Sequence, residues 1–181
     1  MNRFHTLAFA ASMLTAGAAE AADFTVTSPD FAGGQVQQAQ FAAGMGCIGK
    51  NLSPAITWAN APEGTKSFVV TLYDKDAPTG SGWWHWVAID IPADVTALDG
   101  GAGSDISKMP AGAVTIANDA GQRGFGGACP PEGEVHDYTI TVKALSVEKL
   151  PVPPEASPAL VGFVSNMNTL ASATISARGS R

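Results

Sequence analysis

Two apolar runs, Ser67 to Leu72 and Val87 to Ile91, set the strongest limit on what this chain can fold into. Each is short, rich in branched and large apolar side chains and bounded by turn residues, so each reads as a strand rather than a helix. The segment between them, Tyr73 to Trp86, packs two carboxylates, three tryptophans and a histidine into a stretch with proline and glycine. In an extended chain, side chains alternate between faces. Asp74 and Asp76 are therefore expected on one face, and Trp83 and His85 on one face with Trp84 and Trp86 on the other. A polar wall beside an aromatic one reads as a site, not as a linker.

The same punctuation continues along the chain. Phe24 to Ser28 alternates and predicts a first strand, Pro29 to Gly34 a turn, and Gln35 to Phe41 a second strand. Gly44 to Pro54 is too rich in glycine for a regular element and is expected as an ordered loop, followed by a strand over Ala55 to Trp58. Pro92, with no amide to give a ladder, ends the strand that begins at Trp84. Ala93 to Pro110 reads as surface loop with short helical turns, and Val114 to Asn118 as a brief strand. His136 to Leu145 alternates cleanly and predicts a long strand. Ser157 can cap a helix with Pro158 at its first position, running to about Asn166. Leu160, Phe163, Val164 and Met167 would share its apolar face, and Ala171 to Ala177 would be a last short strand.

The chain of 181 residues holds 20 glycines and 12 prolines with 45% hydrophobic content, a balance that suits a single loop-rich β domain. The formal net charge of -6 and the lack of any Lys/Arg run argue against nucleic-acid binding. Arg3, the small and apolar run Leu7 to Ala19 and the Ala19-Glu20-Ala21 triplet together read as a signal peptide over residues 1–21, cleaved after Ala21. Residues 22–181 are then the mature domain, periplasmic or secreted, and no stretch is apolar and long enough to predict a membrane helix. Export places Cys47 and Cys129 where a disulfide persists. The alternative, two buried free thiols, is disfavoured by a count of two cysteines in an exported chain.

Besides His5 there are two histidines, His85 and His136, each at the edge of a predicted strand beside a glycine or proline loop. Alone, either is more often structural than functional. Their coincidence with paired aspartates and with Gly126-Gly127 points to a site, because successive glycines let backbone amides converge on an anion. Tyr138 shares a strand face with His136 and adds a hydroxyl. Trp58, Trp84 and Trp86 are expected in the core, Trp83 in the pocket.

These segments resemble the phosphatidylethanolamine-binding proteins, specifically their bacterial Raf-kinase-inhibitor-like branch. The first family signature, Asp-Pro-Asp-x-Pro with an aromatic-His segment, resembles Asp74-Lys75-Asp76-Ala77-Pro78 with Trp83-Trp84-His85-Trp86. The second, Gly-x-x-Pro-Pro with His-Arg-Tyr, resembles Gly127-Ala128-Cys129-Pro130-Pro131 with His136-Asp137-Tyr138. Asn51-Leu52-Ser53-Pro54 resembles the branch's Asn-x-Ser-Pro segment. The resemblance implies a mainly β fold of two antiparallel sheets with a few short helices and one helix near the C-terminus. It also implies a small surface pocket for phosphate, acetate or a phosphoethanolamine head group, built from Asp74, Trp83, His85, Gly127, Pro130, Pro131, His136 and Tyr138. Lys75 in place of the family's proline and Asp137 in place of its arginine depart from the pattern; alternation points both side chains away from the pocket.

The expected function is an exported, non-catalytic binding protein for a small anionic or phosphorylated head group, with no cofactor and no metal. Asp74 would repel a phosphate unless a proton, a histidinium or the ligand's own amine intervenes, and it is expected to raise the pKa of a neighbouring histidine more than burial lowers it. Two other readings stand beside it: a protein-interaction module such as a protease inhibitor, and a metal-assisted hydrolase with His85, His136 and Asp74 as ligands. The protein partner and a homodimeric state are left open by the residues.

Overall fold

The computed structural model describes residues 22–181; the expected signal peptide and its cleavage point lie outside the described residues. Ten strands and one α-helix follow in order: β1 (Thr25–Thr27), β2 (Ala43–Gly44), β3 (Cys47–Ile48), β4 (Ile56–Ala59) and β5 (Ser67–Asp74) come first. Then come β6 (Trp83–Pro92), β7 (Ala97–Leu98), β8 (Val114–Thr115), β9 (Val135–Leu145), α1 (Pro158–Asn168) and β10 (Thr169–Ser180). A five-stranded antiparallel sheet in the order β10-β9-β5-β6-β8 faces a three-stranded sheet in the order β1-β4-β7, and β2-β3 forms a separate small hairpin.

Between the two sheets lies the main core. Phe68, Val70 and Leu72 of β5, Trp86 and Ala88 of β6, and Tyr138, Ile140 and Val142 of β9 meet Val26, Ile56 and Trp58 there. The opposite face of the large sheet carries Val69, Val87, Ile89 and Leu145, covered by Val161 and Val164 of α1. Both faces of the central strands are thus buried, which is why β5 reads as a continuous apolar run rather than an alternating one.

A register shift between Leu72 and Tyr73 inserts His85 as an extra residue opposite β5: Leu72 pairs with Trp86, and Tyr73 with Trp84. Bulges reverse the alternation locally. Trp84 therefore packs against the α1 side of the sheet and Trp86 into the main core, so the two do not share a face as simple alternation predicts. This bulge delivers His85 to the same end of the sheet as Asp74 and Trp83.

Several other expectations shift. Gln35 to Phe41 forms no strand but a 3-10 turn over Gln38–Gln40 between single bridges at Gln35 and Phe41, because its backbone meets two different partners in succession. The Gly44 to Pro54 loop includes β3. The last strand is far longer than Ala171 to Ala177, since β10 follows β9 along nearly its whole length. Ser157 caps α1 by accepting from Leu160 N at 3.2 Å, with Pro158 at the helix start. The face buried by α1 is Pro158, Val161, Val164 and Ser165, while Leu160, Phe163 and Met167 stay exposed. The helix ends set that rotation: it enters from the buried Leu150 and Ala156 and runs straight into β10.

Candidate functional site

β5, β6 and β9 end together, and their ends carry Asp74, His85 and His136. An open cavity of about 770 Å³ lies over them, lined also by Asn51, Trp83, Gly127 and Pro131 and by Ala42 to Met45 of the first hairpin. Six of the eight residues expected in the pocket line it: Asp74, Trp83, His85, Gly127, Pro131 and His136. Pro130 and Tyr138 do not. Pro130 is buried. Tyr138, 1% exposed, belongs to the main core beneath the cavity, with its ring centroid 5.4 Å from His85 and 6.4 Å from His136. The Tyr138 hydroxyl is buried without a hydrogen-bond partner, and burial, then the charge of Asp74, pushes its pKa far above the usual phenol range.

Asp74 is the hub. Its Oδ1 accepts from the amides of Asp76 (2.9 Å) and Ala77 (3.1 Å), which fixes the turn after β5. Its Oδ2 lies 2.7 Å from His136 Nδ1 and 4.0 Å from His85 Nε2. The other nitrogen of His136, Nε2, sits 3.0 Å from Glu134 Oε2. Burial lowers the His136 pKa, yet hydrogen bonds to Asp74 and Glu134 outweigh it and leave the group raised above 6.5. A carboxylate oxygen at each nitrogen favours the imidazolium form of His136, which can donate to both.

His85 behaves differently. Its Nδ1 donates to the Gly126 carbonyl at 2.8 Å, which leaves Nε2 a bare acceptor in the neutral ring. Burial dominates and lowers its pKa below 6.5 in spite of Asp74. The expectation that carboxylate charge outweighs burial holds for His136, where Asp74 and Glu134 act together, and fails for His85, which stands farther from Asp74 and has no hydrogen-bonded acid, Asp119 acting on it only through its charge.

The glycine loop is not an anion nest. The Gly126 amide donates to His85 O (2.8 Å), that of Gly127 to Asn51 Oδ1 (2.7 Å) and that of Ala128 to Gln40 O (3.1 Å). Glycine at 127 is needed for another reason: a Cβ there would lie 2.4 Å from the Ala42 nitrogen, so only glycine lets the loop close on the hairpin. The Cys47–Cys129 disulfide staples the same two segments.

Asn51, Asn118 and Glu134 went unrecognised as site residues. Asn51 lies in the Asn-x-Ser-Pro segment, and that motif was the available signal. Asn118, buried and lining the cavity, caps its own loop by accepting from Ala120 and Gln122 amides at 3.0 and 3.1 Å. No sequence signal marks Glu134. The two departures from the family signature prove to be partners: Lys75 Nζ and Asp137 Oδ2 form an ion pair at 2.8 Å outside the cavity. Among the described residues, no three His, Cys, Asp or Glu side chains are arranged to hold a metal ion.

A two-sheet β fold with an aspartate–histidine pocket at one sheet end defines a recognisable class. The family model for phosphatidylethanolamine-binding proteins matches residues 27–180, and the chain belongs to that family. It is similar to the protein YbcL of Escherichia coli K12, 53% identical over 160 residues that cover 87% of each chain. The crystal structure of YbcL, described as a new member of the mammalian family, superposes with a TM-score of 0.84 at 51% identity, covering 88% of this chain and 99% of that one. A structure from Chlamydia trachomatis shares the fold at 24% identity and a TM-score of 0.74, covering 88% of this chain and 98% of that one. LppC of Mycobacterium tuberculosis, named as a lipoprotein, is 34% identical over 145 residues, 79% of this chain and 65% of that protein.

Proposed function

We propose that this chain is an exported, non-catalytic binding protein whose pocket takes a phosphorylated head group that brings its own proton or amine. One observation carries the reading: the cavity over Asp74, His85 and His136 is lined by apolar and neutral polar side chains besides these three, and by no lysine or arginine. A bare dianion finds no free charge-assisted donor there, because both nitrogens of His136 already face carboxylates. A monoprotonated phosphoryl group can instead donate to His85 Nε2, and an ammonium group can sit near Asp74, with Trp83, Pro78 and Met45 as apolar walls. The full engagement of His136 and Asp74 with protein partners favours holding a ligand over turning one over, since neither is free to act as a general base.

The disulfide and the lipoprotein name of the mycobacterial relative support a location outside the cytoplasm. No described helix is long and apolar enough to cross a membrane.

Calorimetric titration with phosphoethanolamine tests the reading. Because the complex keeps a proton between phosphoryl oxygen and His85, and phosphoryl groups lose that proton near pH ~6, affinity is expected to be on the order of a hundredfold weaker at pH 8 than at pH 5.5. His85→Ala should weaken binding and flatten this dependence. Trp83→Ala should weaken binding equally at both pH values. Equal wild-type affinity at both ends of the range, or an inert His85→Ala, would show that the ligand is held elsewhere.

A further inference from the structure

A second cavity, of about 370 Å³, lies on the other side of the β2-β3 hairpin, lined by Gln35, Gln38, Ile48, Arg178, Ser180 and Arg181 among others. Its chemistry is opposite to that of the head-group pocket. Two arginines line it and no aspartate or glutamate does, in a chain whose formal net charge is -6. We propose that this cavity is a separate anion site that takes a phosphoryl group, going beyond the head-group reading and independent of it.

Local structure fixes the backbone of Arg178 and the guanidinium of Arg181. The backbone of Arg178 is fixed by Val36, whose amide donates to the Arg178 carbonyl at 2.9 Å. Arg178 has one acidic partner, Asp137 at 3.4 Å, and Asp137 is already engaged more closely by Lys75 at 2.8 Å. Arg181 has no acidic side-chain partner among the described residues. Its Nη1 donates to the Met45 carbonyl at 3.0 Å and lies 3.7 and 3.8 Å from the sulfurs of Cys47 and Cys129. Glycine at 46 makes room for it, since a Cβ there would lie 2.6 Å from Arg181 Nη1. The remaining guanidinium donors of the two arginines, with the Ser180 hydroxyl and the Gln35 amide, match the several acceptor oxygens of a phosphoryl group. The exposed Ile48, 84% accessible, stands on the rim.

The same chemistry can come from free phosphate or from a phospholipid head group, and two arms separate them. In the first, wild type, Arg178→Glu, the double variant Arg178→Gln/Arg181→Gln and His85→Ala are titrated with inorganic phosphate at low salt by NMR. In the second, the same proteins are sedimented with phosphatidylglycerol or phosphatidylcholine vesicles. Phosphate binding about tenfold weaker in Arg178→Glu and in the double variant, and retained in His85→Ala, supports the site with free phosphate as its ligand. Sedimentation with phosphatidylglycerol vesicles alone, lost in the arginine variants and retained in His85→Ala, supports the site with lipid as the source. Arg178 is exposed, so Arg178→Glu keeps the test valid if the double variant folds poorly. Unchanged binding in Arg178→Glu in both arms, or loss of all binding in His85→Ala, overturns the proposal.

Discussion

The two histidine walls of the pocket use the same side chain to opposite effect. On β9, His136 stands between Asp74 and Glu134 and is pulled toward the charged form. On the bulge of β6, His85 faces a backbone carbonyl and is pushed by burial toward the neutral form. The difference lies in what the second partner is. A carboxylate at each nitrogen compensates desolvation, whereas a single peptide oxygen satisfies one N–H and leaves the charge uncompensated. The stability consequences also run in opposite directions. The contribution of His136 is complete below its unfolded value near ~6.5 and is lost as pH rises through its raised folded value. That of His85 is present above ~6.5 and is lost as pH falls toward its lowered folded value.

The largest expected effect comes from the support of the β6 wall. The disulfide spans a sequence separation of 82 residues, and replacing both cysteines by serine should cost about 4 kcal/mol in urea unfolding by loop-closure entropy. The Gly126 to Cys129 loop that holds His85 Nδ1 should loosen, so the His85 ring resonances should shift while those of His136, anchored on a paired strand, stay in place. Equal disturbance of both rings would erase the distinction between a loop-held and a strand-held histidine.

Next in size, Asp74→Ala removes the partner of the buried His136 ring and of two amides, at a cost of about 3 kcal/mol. NMR titration should then show the His136 pKa falling well below its wild-type value, with His85 moving by less because it stands 4.0 Å from the carboxylate. A larger shift at His85 than at His136 would reverse the assignment of the hub.

The smallest effect sharpens the sign of the comparison. Glu134 is about half-exposed, so Glu134→Gln should lower the His136 pKa and cost under about 1 kcal/mol after screening. That cost should be present at pH 5.5, absent at pH 9 and without counterpart at His85. A loss of stability that grows with pH would contradict a raised His136.

Much of this was legible in the residue pattern, and the limits of what was legible have physical causes. Strand identity in β5, β6 and β9 follows from apolar runs and alternation, and the start of α1 from Ser157 and Pro158, because these are local preferences of the backbone and its caps. The residues of two family signatures sufficed to place Asp74, Trp83, His85, Gly127, Pro131 and His136 around one cavity. The length of β10 was not legible, since its alanines, serines and threonines become a strand by pairing with β9 rather than by any apolar period of their own. Nor was the rotation of α1, which its neighbours set. The bulge at His85, the filled amides of Gly126 and Gly127, and the burial of Pro130 and Tyr138 depend on which distant group each backbone or side chain meets. Sequence alone determined that Asp74, His85 and His136 gather at the sheet end, though not that Glu134 joins them. Only the tertiary structure decided their protonation bias, because desolvation and a partner at 2.7 rather than 4.0 Å are properties of the packed molecule and of no residue by itself.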